Sequence, residues 1–288
     1  MNPETRVALV QLRTPATQTA ALAHAAPLVR RAAEGGAELI ATPEATNILE
    51  RDRAKLFAIL EPTETDPCVQ GLIALARELK VWLLIGSALV RREDGGAANR
   101  SMLIDPAGRT VATYDKIHMF DVDLPTGERV RESEAYTPGC AASVADTPFG
   151  RLGLTVCYDI RFPYLYRALA KAGAEILTVP AAFTRPTGEA HWEILLRARA
   201  IEAGAFVLAP AQGGRHEDGR GTWGRSMVVG PWGEILAQAL DDEPGVIAAV
   251  LDAAAPGKAR AAIPSLVNER AFAGPAFAEA SAGGPAGA

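Results

Sequence analysis

A thiol, a carboxylate and an ammonium stand at three places in this chain where a strand should end. Cys157 follows the apolar run Leu152–Val156 and precedes a helix predicted over Phe162–Lys171. In an α/β sheet that is the usual ligand edge, and the start of the next helix favours a nearby anion. A free thiol is scarcely ionised at neutral pH, so a nucleophilic cysteine needs that field or an adjacent base. Glu44 follows the strand predicted over Glu38–Ala41, after a proline that pins the turn, and Lys116 follows the strand predicted over Thr110–Tyr114. Taken singly, Cys157 is more readily a small buried hydrophobe, and the other two are solvated charges. Taken together they converge on one site if their strands run the same way, because such strands bring their C-terminal ends together. Cys68 and Cys140 lack this setting.

Other motifs carry less. Gly219-Arg220-Gly221-Thr222-Trp223-Gly224 has dinucleotide-fingerprint spacing, but it follows polar residues and opens into a strand, so it does not predict nucleotide binding. Gly224-Arg225-Ser226-Met227-Val228 resembles a nucleophile elbow without its closing glycine. The four histidines, His24, His118, His191 and His216, lie at no ligand spacing, so no metal site is predicted. Asn99-Arg100-Ser101 is a glycosylation sequon, read here as the start of a strand.

These residues must be held by a framework. The chain has 49% apolar and 22% charged residues, a composition that excludes disorder, collagen and coiled coil. It is long enough to bury roughly three quarters of its unfolded surface without disulfides or metals. A net charge of −5 argues against nucleic acid or an anionic membrane as the main partner, though not against a local positive pocket. Three scattered cysteines fit a reducing compartment, Met1–Gln11 has no signal-peptide pattern, and the longest apolar run, Leu72–Val90, is broken by Arg77, Glu78 and Lys80. The expected location is the cytoplasm.

Short strands alternate with helices. Strands are predicted at Arg6–Leu12, Glu38–Ala41, Trp82–Leu89, Leu152–Val156, Glu175–Val179, Ala205–Leu208 and Gly245–Leu251. The turn Asp105-Pro106-Ala107-Gly108 predicts a hairpin of Ser101–Ile104 with Thr110–Tyr114, and Gly230–Gly233 a second one. Helices are predicted at Thr17–Glu34, with Pro27 forcing a kink or a later start, at Pro67–Lys80, and at Gly188–Ala203 with a stripe of Trp192, Leu195, Leu196 and Ile201. The pattern is α/β or α+β, with sheets covered by helices, in one domain over 1–270. An Ala/Gly-rich tail, 271–288, is expected to be mobile.

Three segments resemble the catalytic segments of the nitrilase superfamily of carbon–nitrogen hydrolases: Thr42-Pro43-Glu44, Tyr114-Asp115-Lys116-Ile117-His118, and Gly153-Leu154-Thr155-Val156-Cys157-Tyr158-Asp159-Ile160-Arg161-Phe162-Pro163. Their order, Glu, Lys, Cys, is that family's order. The resemblance implies a four-layer αββα sandwich, often paired into a homodimer. It implies Cys157 as nucleophile, Glu44 as general base, and Lys116 with the Tyr158 backbone N–H as oxyanion donors. Glu132 would be an auxiliary acid positioning the lysine or the substrate, and Arg161, Phe183 and Thr187 would line the substrate pocket. No metal or organic cofactor is implied.

Cys157-Tyr158-Asp159, where true nitrilases typically show Cys-Trp-Glu, resembles the amidase branch, and Ala211-Gln212-Gly213-Gly214-Arg215-His216 resembles its deaminated-glutathione amidases. The implied reaction is amide hydrolysis through a thioester on a small carboxylate-bearing substrate, with Arg161 as carboxylate clamp. A lysine beside the thiol is expected to lower its pKa as well. The alternatives are an ω-amidase, an N-carbamoyl amino-acid hydrolase, an aliphatic amidase, or a non-catalytic binding protein.

Overall fold

The computed structural model describes residues 3–124, 127 and 129–274. The first half of the chain supplies β1 (Glu4–Gln11), β2 (Leu39–Ala41), β3 (Trp82–Arg91), β4 (Ala97–Ile104) and β5 (Thr110–Asp115), then a small hairpin of β6 (Asp121–Asp123) and β7 (Arg129–Arg131). The second half supplies β8 (Ser143–Thr147), β9 (Gly150–Leu154), β10 (Ile176–Thr178) and β11 (Phe206–Ala209). A hairpin of β12 (Gly213–Arg215) and β13 (Gly221–Trp223) follows, then β14 (Met227–Val229), β15 (Ile235–Gln238) and β16 (Gly245–Asp252). The helices are α1 (Gln18–Glu34), α2 (Arg53–Ile59), α3 (Pro67–Leu79), α4 (Pro163–Lys171), α5 (Arg185–Ala203) and α6 (Ala255–Ala262).

Two six-stranded sheets result, with orders β16-β1-β2-β3-β4-β5 and β15-β14-β11-β10-β9-β8. Each has three parallel strands at its centre, β1-β2-β3 in one and β9-β10-β11 in the other, flanked by antiparallel partners. β5 is two antiparallel steps from β3 and so runs in the direction of β2. The C-terminal ends of β2 and β5 therefore share one edge, and the N-terminal end of β4 lies between them in that sheet.

Side-chain alternation builds the layers. Along β1, Ala8 and Val10 pack with Ala21, Ala25 and Val29 of α1 and Leu72 and Leu75 of α3. Val7 and Leu9 point the other way, into the core that also holds Leu152 of β9, Ile176 of β10, Val207 of β11, and Leu169 and Leu196 of α4 and α5. The layers run helix, sheet, sheet, helix, as the αββα expectation has it.

Local chemistry sets the element ends. Asp66 caps α3 by accepting the Cys68 and Val69 N–H groups at 3.0 and 2.9 Å, and Pro67 fills the first helical position. Three details differ from expectation. α1 starts at Gln18 and continues through Pro27, because its buried alanine and valine stripe outweighs one lost hydrogen bond. On α5 the buried stripe is Trp192, Leu196, Ala200 and Ala203, and Ile201 is 54% exposed. α2 and both small hairpins, with few buried apolar residues, gave no periodic signal. Most of the tail expected to be mobile, residues 275–288, lies outside the described residues.

Candidate active site

Glu44 sits in a turn laced onto β3. The Thr42 N–H donates to Leu84 O at 2.9 Å, the Ala45 N–H to Ser87 Oγ at 2.9 Å and the Thr46 N–H to Ser87 O at 2.8 Å. Ala45 adopts φ +55°, a conformation rarely populated without glycine. Gln212 pins the turn from the other half of the chain, its Nε2 donating to Glu44 O at 2.8 Å. Gly86 of β3 lets the turn approach, since a Cβ there would overlap the Thr42 carbonyl oxygen and stand 2.7 Å from Pro43 O.

Cys157 begins a 3₁₀ turn, Cys157–Arg161, just beyond β9, with φ +50°. Its N–H donates to Pro180 O at 2.9 Å, while the Tyr158 N–H takes no protein partner among the described residues. Asp159, fully buried, braces this turn against the lysine strand. It accepts from the Val156 N–H at 2.8 Å, Tyr114 Oη–H at 2.7 Å and the His118 N–H at 3.1 Å, and it faces His118 Nδ1 at 2.6 Å.

The structure brings the four candidate catalytic side chains together. Lys116 Nζ donates to Glu44 Oε1 at 2.9 Å and to Glu132 Oε1 and Oε2 at 2.9 and 2.8 Å. Glu44 Oε2 accepts the Ala182 N–H at 2.8 Å, and the Cys157 thiol lies near enough to the same carboxylate to interact with it. Lys116 is 2% exposed and Glu44 6%. Burial opposes the charge on Glu44, yet Lys116, the Cys157 thiol and Asn99 together hold its carboxyl below the usual range. Burial likewise opposes the charge on Lys116, and Glu132 and Glu44 overcome it, raising the ammonium well above its ordinary value. Burial, then the charge of Glu44, pushes the Cys157 thiol well up, and Lys116 only partly offsets them. The lysine thus acts on the thiol in the expected direction but is outweighed, and the resting site holds carboxylate, ammonium and neutral thiol.

Cys157 opens on a cavity of about 710 Å³, which Arg161, Phe183 and Thr187 also line. Among the described residues, seven arginines and Lys116 face it, against three glutamates. Four of those arginines hold aspartates: Arg129 and Arg131 share Asp123, Arg185 pairs with Asp242 and Arg220 with Asp218. Arg161 has no carboxylate partner among the described residues. It lies over the rings of Tyr158 and Phe183, at 5.9 and 5.6 Å, and meets His191 Nδ1 at 3.2 Å. Ser226, the elbow-like serine, is fully buried and bonded to Gln11 and Ala211, away from solvent.

Sequence reasoning missed Asn99. It sits at the start of β4, where its Nδ2 reaches both Glu44 and Glu132. The hairpin register carried the signal: counting back from the Asp105–Gly108 turn, past a bulge at Leu103/Ile104, places Asn99 across from Lys116.

The chain matches the carbon-nitrogen hydrolase family over residues 6–261. It belongs to that family. This carbon–nitrogen hydrolase is 50% identical over 206 residues to the deaminated glutathione amidase of Yersinia enterocolitica, covering 70% of this chain and 72% of the relative. Among solved structures, the C. elegans NitFhit protein superposes with a TM-score of 0.87 at 34% identity, over 93% of this chain and 65% of that one. A glutamate-to-glutamine mutant of the amidase from Nesterenkonia sp. AN1 superposes with a TM-score of 0.77 at 28% identity, over 94% and 95% of the two chains. In that mutant the active-site cysteine carries the acetamide moiety of fluoroacetamide as a covalent adduct.

Proposed function

We propose that this hydrolase cleaves the C–N bond of a small, carboxylate-bearing amide through a thioester on Cys157, with deaminated glutathione as its substrate. The observation that carries the reading is the meeting of Glu44, Lys116 and Cys157, from three distant stretches of chain, in one buried cluster, with Lys116 bonded to Glu44 and Cys157 beside the same carboxylate. Glu44 accepts the thiol proton as Sγ attacks the amide carbon. The carbonyl oxygen becomes an oxyanion held by Lys116 Nζ and the unpartnered Tyr158 N–H. Each such donor is worth about 100- to 1,000-fold in rate. Glu44 passes the proton to the leaving nitrogen, the C–N bond breaks and the amine departs. Water then gives a proton to Glu44 and attacks the thioester; the C–S bond breaks, and the proton returns to sulfur. Glu132 holds Lys116.

The substrate class is supported by the cationic cavity in a protein of net charge −5, and by Arg161, whose guanidinium is left for a ligand carboxylate. The name shared by the Yersinia relative supports the substrate itself. The domain that does this spans 1–270 and works in the cytoplasm; no helix among the described residues is long and apolar enough to cross a membrane. It works as a homodimer, joined over the exposed Ile194, Ile201 and Trp232.

The test is product release from a panel of amides: deaminated glutathione, 2-oxoglutaramate, N-carbamoyl amino acids and neutral aliphatic amides. Cys157→Ala should keep its fold and lose turnover, and Glu44→Gln should accumulate a substrate-sized adduct on Cys157 by intact mass spectrometry. Arg161→Lys should raise KM for the keto-acid amides more than for neutral ones. Turnover surviving Cys157→Ala would remove the nucleophile, and an Arg161→Lys effect equal on all amides would remove the clamp.

A further inference from the structure

Lys116 has three N–H donors, and all three are occupied at rest: one on Glu44 Oε1 and two on Glu132. To hold an oxyanion it must release one of them. Glu132 takes a bidentate pair and a further short bond from the Phe120 N–H at 2.6 Å, so the donor on Glu44 is the one to give up. Left alone, Glu44 Oε1 would then lose its anchor at the moment the carboxyl must stay aligned with sulfur and the leaving nitrogen.

Asn99 supplies the missing hold. Its Nδ2 donates to Glu44 Oε1 at 2.9 Å and to Glu132 Oε1 at 3.3 Å, the two oxygens that Lys116 also bridges. Two carboxylates and two donors close a ring, with one donor cationic and the other neutral. The backbone sets this pairing, because the Lys116 N–H donates to Asn99 O at 2.9 Å and places the residues side by side on adjacent strands. Asn99 is 3% exposed, and its Oδ1 is buried with no partner among the described residues. An apolar residue of the same shape would not carry that orphaned oxygen, so the amide is retained for its Nδ2.

We propose that Asn99 is a positioning residue that holds Glu44 against Glu132 while Lys116 turns one N–H from Glu44 to the oxyanion. The proposal rests on the amide-hydrolysis reading above and adds a fifth residue to it. A neutral donor suits the task, since a second cation would bind the Glu44 charge too tightly for it to take a proton. The titratable groups that face Glu44 are Lys116, Cys157, Glu132 and the half-buried Tyr136.

The experiment compares wild type with Asn99→Leu, which keeps the volume, and Asn99→Ala. It reads kcat and KM separately, the acid limb of kcat/KM, and the pH dependence of Cys157 alkylation by iodoacetamide. Loss of a hydrogen bond to a charged group should lower kcat about 10- to 100-fold with KM changed less than about threefold. Both acid limbs should move up by about one pH unit: that of kcat/KM because the lost donor favoured the ionised carboxyl, and that of alkylation because Glu44, relieved of the donor, holds the thiol proton more tightly. If both variants fail to fold, Asn99→Ser is measured, and its shorter hydroxyl should give the same upward shift. Acid limbs that coincide with wild type, or a loss confined to KM, overturn the role of Asn99. A wild type in which Cys157 is not the alkylated residue overturns the hydrolase reading with it, and alkylation separates the two because it needs no substrate.

Discussion

A buried thiol beside a carboxylate keeps its proton. Cys157 lies in that position, and burial together with the Glu44 charge outweighs the pull of Lys116. In the proposed reaction the nucleophile is therefore made during attack, by transfer to Glu44, and is not stored as a thiolate as in cysteine sites activated by a neighbouring cation. The ultraviolet difference spectrum between wild type and Cys157→Ala should show no thiolate band at neutral pH. Removing the neighbouring charge should have an effect opposite to its effect on turnover. In Glu44→Gln the thiol should ionise about one to three pH units lower, read from the pH dependence of its alkylation, while catalysis fails for want of a base. A thiolate band in the wild type, or an unchanged alkylation profile in the variant, would show that Glu44 does not control the sulfur.

At the scale of elements, what matters is how the lysine strand and the cysteine turn are kept in register. Asp159 does this, since it gathers Val156, Tyr114 and His118 from both segments onto one buried carboxylate. Asp159→Asn replaces an acceptor by a donor facing donors, and it should cost about 3 kcal/mol in denaturant unfolding. Its kcat should also fall under conditions where the variant is fully folded. An unfolding midpoint equal to wild type would show that other contacts hold the register. The strand ends that carry Glu44 and Cys157 were legible as apolar runs that stop, and the one that carries Lys116 from the hairpin turn before it. Asn99, Asp159 and Gln212 were not, because what each does depends on partners 33 to 168 positions away. Ile201 was misread for a different reason: α5 buries Gly188, Ala200 and Ala203 beside Trp192 and Leu196, so its large apolar residues alone do not mark the buried face.

Over the whole molecule two features follow from where apolar and titratable groups end up. Ile194 and Ile201, two turns apart on α5, are 69% and 54% exposed beside Trp232 at 61%, and Arg197 ties the helix to that turn through Gly233 O at 2.8 Å. In the proposed homodimer, Ile201→Asp should lower the mass seen by light scattering from two chains to one; a wild type that is already monomeric, or a variant of unchanged mass, overturns this interface. The second feature is His216, which joins the end of the first strand to the β12–β13 hairpin, facing Thr222 Oγ1 at 2.7 Å and Thr14 O at 3.5 Å. Burial, helped by Arg220 and Arg13 against Thr14 and Asp218, pushes its pKa down to about 4, from 6.5. Between those values the unfolded chain binds a proton at this residue that the folded chain refuses, so stability is intact above pH 6.5 and is lost as pH falls toward 4. The full window is worth about 3 kcal/mol. Glu44, held below its ordinary 4.5, gives up its contribution as pH falls below that value, so the two meet only at the acid end of the His216 window. His216→Gln, which cannot titrate, should therefore show a flatter decline of urea midpoint across this window than wild type. Parallel declines would mean that acid unfolding begins elsewhere and that the hairpin opens without His216 taking up a proton.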